Sequence, residues 1–249
     1  MMEKAKEDWM SESKELFVTK HNSLIEASYK LTLNEQRLVL LCISKLDPRK
    51  PLPKENLFTI TAKEFSMMFG VNEKTAYREL ENASKDLYEQ DIRTHDGKNN
   101  YQFRWVYGIK YHNHEGKVTL GFSPWVAPYL TSLHERFTRY NLKKVSGLKS
   151  AYAIRLFEFL IQFKATGKLL IGLEVFRDRL EIKNEYKRFC DLKRRVILTS
   201  VKELEEKSGL VINWKPIKSG KSVTQLEFTF RESEVFEGNK DVKKEGSNT

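Results

Sequence analysis

The chain has 249 residues, 40% of them hydrophobic and 12% aromatic, which makes it globular rather than disordered and long enough for one large or, the better expectation, two ordinary domains. Its formal charge of +10 and pI near 9.4 are the footprint of a nucleic-acid binder, although membranes and acidic proteins also attract cations. No apolar run reaches the ~20 residues needed to span a bilayer, and the opening MMEKAKEDWMSESKE is too acidic and polar for a signal or transit peptide, so a cytoplasmic location without membrane contact is expected. Cys42 and Cys190 form neither a CxxC pair nor a metal-ligand spacing and read as two reduced thiols.

Residues 1–20 read as a flexible N-terminal segment. In YKLTLNEQRLVLLCISKL, Thr32 and Glu35 have capping-box spacing ahead of an apolar helix that carries Leu33, Val39, Leu40, Ile43 and Leu46. DPRKPLPKEN is a loop, and Leu57 to Ile60 a short strand. TAKEFSMMFGVNEKTAYRELENASKDLYEQ then gives a helix, a turn at Gly70 to Asn72 and a second helix from about Glu73 to Glu89, a helix-turn-helix pattern with Gly in its turn. The second helix has Ala76, Leu80, Ala83 and Leu87 on one side and Lys74, Arg78, Glu81 and Lys85 on the other. The strand-like runs that follow break at Asp96-Gly97 and Glu115-Gly116, which are hairpin signals, and helix-turn-helix followed by hairpin is the order of a winged helix. SPWVAPYLTSLHERFTRYNLKKV reads as a short Pro-containing helix, an irregular stretch and a connector.

The second half repeats that order with a helix from Ser150 to Phe163, the strand KLLIGL and a helix near Glu174 to Leu180. YKRFCDLKRRVILTSVKELEEKSG, from Tyr186 to Gly209, reads as one helix stopped by Gly209. At about 100° per residue, Ile197, Val201 and Leu204 share an apolar face, and Arg188, Arg195, Thr199 and Lys202 line the roughly opposite one. Charge runs are usually solvated faces. Cations at a helix N-terminus, however, oppose the macrodipole by ~0.3–1 kcal/mol each, so Lys187, Arg188, Lys193, Arg194 and Arg195 sit at the wrong end for stability alone. A polyanion at that end reverses the sign. In both units the basic helix occupies the recognition position of a helix-turn-helix, which enters the major groove, where Arg or Lys can bond guanine O6 and N7. LVINWKPI, KSGKS and VTQLEFTF close the second unit as a hairpin with Lys218 and Lys221 at its tip, suited to phosphate contacts or else an ordinary solvated turn. The expected class is α+β, two tandem winged-helix domains over residues 21–142 and 143–232, followed by a disordered polar tail over residues 233–249.

Three stretches carry a family resemblance: LIEASYKLTLNEQRLVLLCI, RFTRYNL followed by SAYAIRLFEFLIQFK, and YKRFCDLKRRVILTSVKEL. They resemble the replication initiators of iteron-containing, theta-replicating plasmids, and the likeness runs from about Leu24 to Glu232. The resemblance implies two winged-helix domains related by pseudo-twofold symmetry, the second the main DNA-binding one. It implies monomers that bind repeated iterons in double-stranded origin DNA, promote origin opening and recruit the helicase, and homodimers that repress the initiator's own promoter, a form of plasmid copy control. The partners it implies are the host initiator DnaA, the replicative helicase, and chaperones that convert dimer to monomer. It places the dimer surface on the first domain, where the hairpin region from Trp105 to Phe122 is the candidate. Position by position, Lys193, Arg194 and Arg195 fall where the family has a basic triplet near its DNA, and Arg78 falls at a basic DNA-facing position. Lys74 and Lys85 are added from the helical wheel, and Thr75 is counted with them.

Two other readings compete. KYHNHEG suggests a rolling-circle initiator that nicks DNA through a metal and a tyrosine nucleophile, since His112 and His114 on an extended strand would point to the same side. Against it, Asn113 stands where that motif expects an apolar residue, Glu115-Gly116 begins a turn, and Tyr77 lies within the first recognition helix. No phosphate-binding glycine loop is present, so neither enzymatic activity, nor a metal, nor a cofactor is expected. Cys190 is assigned to packing at a helix start, and Trp105, Trp125 and Trp214 to packing rather than stacking on unpaired bases. A two-domain winged-helix transcription regulator would use the same DNA chemistry. Tandem repeats beside an origin would favour the initiator, and a single promoter palindrome the regulator.

Overall fold

A computed structural model of the chain describes residues 15–52, 56–112 and 114–233. The expected tail lies outside these residues except for Ser233, and so does the expected flexible segment up to residue 14.

The first unit is built from α2 (Leu33–Ser44), β2 (Leu57–Thr61), α3 (Ala62–Phe69), α4 (Glu73–Tyr88), β5 (Val106–His112) and β6 (Lys117–Phe122). The second repeats it with α6 (Ala151–Ile161), β8 (Lys168–Gly172), α7 (Leu173–Arg179), α8 (Phe189–Leu192) running into α9 (Leu198–Lys207), β9 (Leu210–Ser219) and β10 (Ser222–Glu232). Each sheet is antiparallel with its last strand in the centre, in the orders β2-β6-β5 and β8-β10-β9. The chain therefore makes one winged helix twice. A hairpin of β3 (Asp91–His95) and β4 (Asn100–Arg104) is inserted between α4 and the first wing.

Local chemistry sets the first helix-turn-helix. Thr32 caps α2 with Glu35, and Thr61 caps α3 with Glu64, each pair satisfying an amide of the other. Gly70 ends α3 at φ 63°, a left-handed conformation that a side chain disfavours. Asn72 then caps α4 by accepting from the Lys74 amide at 3.0 Å.

Phe17 to Lys20, expected to be flexible, instead belong to β1 (Phe17–His21), which pairs with β7 (Phe137–Asn141). Val18 and Lys20 are buried there, and the Arg139 guanidinium lies 4.2 Å from the Phe17 ring centroid. A short helix α1 (Asn22–Glu26) follows, and α5 (Lys143–Ser146) leads from β7 towards α6.

The core is continuous across both units, and α2 and α6 lie at its middle. Residues 35–43 of α2 and 153–161 of α6 are buried all round, as expected of helices enclosed on every side. Trp105 is fully buried, edge-on to Tyr29 at 5.0 Å, and Trp214 is half-buried over Phe228. Trp125 departs from the packing expected of it. It is 62% exposed and covers Phe103 with one face only.

Candidate nucleic-acid interface

The basic stretch of the second unit is one continuous helix, but it starts at Phe189 rather than Tyr186. Tyr186 sits at φ 48°, so Lys187 and Arg188 precede the helix, Arg188 in the capping position. Arg177 holds this entry. It is 5% exposed on α7 and donates to the carbonyls of Glu185 at 3.1 Å, Tyr186 at 2.9 Å and Lys187 at 3.3 Å. A buried guanidinium that satisfies three backbone acceptors fixes where the recognition helix begins.

Between α8 and α9, Lys193–Ile197 form a π turn. Leu192, Val196, Ser200 and Leu204, four residues apart, all face the core. In a regular α-helix such a row drifts by about 40° per step, and the wider π turn takes up part of that drift. Lys193, Arg194 and Arg195 project from the widened turn into solvent.

These cations are not equivalent. Asp191 accepts from Arg188 Nε at 2.9 Å and from the Arg194 guanidinium at 3.3 Å. Lys193 Nζ lies 5.9 Å from the Trp214 ring centroid, at the outer limit of a cation–π contact. Arg195 has no ion-pair partner among the described residues. The Thr199 hydroxyl donates to the Arg195 carbonyl at 2.8 Å, leaving its methyl as the free group. Lys202 is exposed, 3.9 Å from Glu206. Glu185, Tyr186, Lys187, Arg188, Asp191, Arg194 and Arg195 line one shallow surface depression. In the wing a two-residue turn, Gly220 and Lys221, joins β9 to β10. Lys221 is at the tip, whereas Lys218 lies one step back on β9 opposite Val223, and both are exposed.

In the first unit Ala76, Leu80, Ala83 and Leu87 are buried, and Lys74, Arg78 and Lys85 are exposed on α4 without ion-pair partners among the described residues. Thr75 is half-buried and its hydroxyl bonds Glu79 Oε1 at 2.8 Å. Glu73, Glu79, Glu81 and Asp86 outnumber the three cations of α4, a net of −1. Residues 187–207 carry Lys187, Arg188, Lys193, Arg194, Arg195, Lys202 and Lys207 against Asp191, Glu203, Glu205 and Glu206, a net of +3.

The two histidines do not share a strand. β5 ends at His112, whose Nε2 is 2.8 Å from Thr119 Oγ1, and His114 is in the turn at φ 65°. Among the described residues no group of three His, Cys, Asp or Glu could hold a metal ion, and no helix is long and apolar enough to cross a membrane. Cys190, assigned to packing, is exposed at the second position of α8. Cys42 is fully buried, and burial pushes its thiol up to about 12.

Comparison with known proteins extends this picture. Residues 17–161 match the family model described as Initiator Replication protein, WH1, and residues 172–230 match Initiator Rep protein, WH2. A Replication initiation protein of Escherichia coli is 31% identical over 205 residues, which cover 79% of this chain and 64% of that relative. The chain thus spans less than two thirds of that protein's length. A PI protein of Escherichia coli is 23% identical, covering 93% of this chain and 88% of its own. The crystal structure of Pi initiator protein in complex with iteron DNA superposes with a TM-score of 0.78 over 90% of this chain and 100% of that one. At 20% identity this likeness speaks to the fold: two tandem winged helices.

Proposed function

The chain belongs to the Initiator Replication protein family, and from that membership we propose that it is a plasmid replication initiator that binds repeated sequences in double-stranded origin DNA. The observation that carries the reading is the second recognition helix. Its entry is fixed by Arg177, its core face is closed, and residues 187–207 carry a net charge of +3 with Arg195 unpaired among the described residues. In the second unit, residues 143–232, we assign Arg195, Arg194, Lys193 and Thr199 to the major groove. Lys187, Arg188, Lys202, Lys218 and Lys221 are assigned to phosphates. In the first unit, residues 21–142, Arg78 with Lys74, Thr75 and Lys85 on α4 makes the second, weaker contact. Tethering makes that contact effectively intramolecular. The relative whose crystal structure contains iteron DNA supports the choice of ligand.

The protein acts by binding and cuts no strand. Assembly on several repeats opens the origin and recruits the replicative helicase together with the host initiator DnaA. Chaperones set the balance between monomers and autorepressing dimers, and the site of action is the bacterial cytoplasm. Family membership, rather than any contact in this chain, supports these last steps.

The test is binding to a labelled duplex with the plasmid's own direct repeats, against a scrambled duplex, across a salt series with magnesium present and product strands resolved on a denaturing gel. Repeat-specific, salt-sensitive binding with intact strands is expected. A nicked strand carrying covalent protein would overturn the reading.

A further inference from the structure

The two units meet across a buried polar cluster that the DNA contacts do not use. The first unit, which β1 extends back to Phe17, contributes Lys20 on β1, Tyr29 after α1 and Tyr140 on β7, and α6 of the second contributes Arg155 and Glu158. All five are at most 4% exposed. Lys20 Nζ is 2.7 Å from Glu158 Oε1, and the Tyr140 hydroxyl donates to the same oxygen at 2.6 Å. Arg155 lies 3.5 Å from Glu158 Oε2, bonds the Tyr29 hydroxyl and stacks 3.7 Å over that ring. It also donates to the carbonyls of Ala27 at 2.9 Å and Arg179 at 3.2 Å, one from each unit. Weaker, more exposed pairs rim the cluster: Arg93 with Glu181, Arg179 with Glu26, and Ser28 with Asp178.

Stability does not explain such a cluster, because well-packed apolar residues of the same volume are commonly as stable as a buried ion pair or more so. What it supplies is direction. Apolar surfaces can slide past one another, whereas a carboxylate held by a lysine, a tyrosine and a nearby guanidinium has one satisfied arrangement. The cluster is also linked by packing to both recognition helices. α4 packs on α2, which packs on β1, which bears Lys20, while α9 packs on α6, which bears Glu158.

We propose that Glu158, held by Lys20 and Tyr140 beside Arg155, is a positioning residue that fixes the separation and angle of α4 and α9, so that the protein accepts one spacing between its two contact patches on a duplex. The inference rests on the DNA-binding reading above. One inserted base pair moves the second patch by ~3.4 Å and turns it by ~35°, which a fixed link cannot follow and a loosened one can.

Two measurements on the full chain test it, with Glu158→Gln alone and combined with Lys20→Met. Cooperative melting serves as the check that each variant folds. For the first, the wild-type protein selects duplexes from a random pool, footprints define its two patches, and one base pair is inserted between them. The wild type should lose on the order of 10²-fold in affinity, the advantage that tethering supplies. The double variant should lose about threefold or less, and Glu158→Gln should fall between. The second measurement needs no DNA: spin labels at Asn82→Cys and Glu206→Cys, in a Cys190→Ser background, report the distance between α4 and α9. A narrow distribution in the wild type that broadens in the double variant is the expected result. Folded variants that keep the wild-type width, or the wild-type penalty for the inserted base pair, overturn the proposal. If the wild type selects no duplex, the DNA reading fails on its own and the distance distribution decides the role of Glu158.

Discussion

Replacing Arg195 by Ala separates sequence reading from simple charge attraction. Arg188 and Arg194 share Asp191, and Lys193 leans towards Trp214, so Arg195 is the guanidinium of this group free to engage a base without giving up a partner. If it bonds guanine O6 and N7, its loss removes ~1–3 kcal/mol of discrimination, about 5- to 150-fold. Arg194 must first exchange its exposed pair with Asp191, worth ~0–1 kcal/mol, so Arg194→Ala should cost less specificity. The side chain of Arg195 is exposed and Ala is a better helix former by a few tenths of a kcal/mol, so the melting temperature should hold, roughly. Competition binding of repeat and scrambled duplexes at fixed salt supplies the ratio, and the slope of log K against log salt supplies the charge count. Equal losses on both duplexes would reduce Arg195 to a phosphate contact. No loss on either would refute the orientation proposed for the helix.

Lys221→Ala should weaken binding to every sequence alike and lower the salt slope by ~0.9, and an unchanged slope would remove the phosphate assignment. Burial pushes the Glu158 carboxyl up, but Lys20 and Arg155 together with the hydrogen bonds outweigh it and hold it below the usual range. A depressed folded-state value means that its contribution is complete above the ordinary Glu pKa and fades as pH falls through the folded value. Acid melting curves should therefore fall more steeply below about pH 4 for the wild type than for Glu158→Gln. Gly167 sits at φ 64°, and an added Cβ would lie 2.7 Å from the Phe230 carbonyl oxygen. Gly167→Ala should thus cost at least the ~1–2 kcal/mol of a left-handed residue, seen as a lower midpoint in denaturant. A maleimide should modify Cys190 and not Cys42 in the native protein, and bound repeat duplex should slow that reaction.

Where a feature depends on neighbours in the chain, the residues show it. The Thr32–Glu35 capping box and the two faces of α4 follow from spacings of three or four residues, the turn at Gly70 from the glycine itself, and all three appear as expected. The features that escape local reading are made by distant partners. β1 is a strand because β7 pairs with it, and polar flanking sequence conceals that. The recognition helix starts at Phe189 because Arg177, on the preceding helix, occupies the carbonyls that would otherwise continue it backwards. A wheel drawn at constant pitch misses the π turn, and a strand drawn through KYHNHEG misses the left-handed His114. Of the candidate contacts, exposure matches the wheel for the cations. What the wheel lacks is their pairing, although Asp191 stands three residues from both Arg188 and Arg194, a spacing that brings side chains together on a helix.

The two units share an architecture but not a field. α4 has a net charge of −1, and the units as wholes carry +3 over residues 21–142 and +9 over residues 143–232, so long-range attraction to a polyanion acts more strongly on the second unit. Contacts from α4 must then form at short range, after the second unit has docked, and they add binding energy only if α4 already stands at the right distance and angle. The requirement falls on whatever joins the units. A purely apolar joint would hold them together as well, but without a unique arrangement of its groups. Arg37 and Gln36 of α2 donate across the joint to the carbonyls of Leu148 and Ala151, and its charged directional part is Glu158 between Lys20, Tyr140 and Arg155, buried where salt screens it least. On the proposed reading, attraction and geometry are thereby separated: surface cations govern how strongly the protein approaches DNA, and a buried interior cluster governs which spacing it will hold.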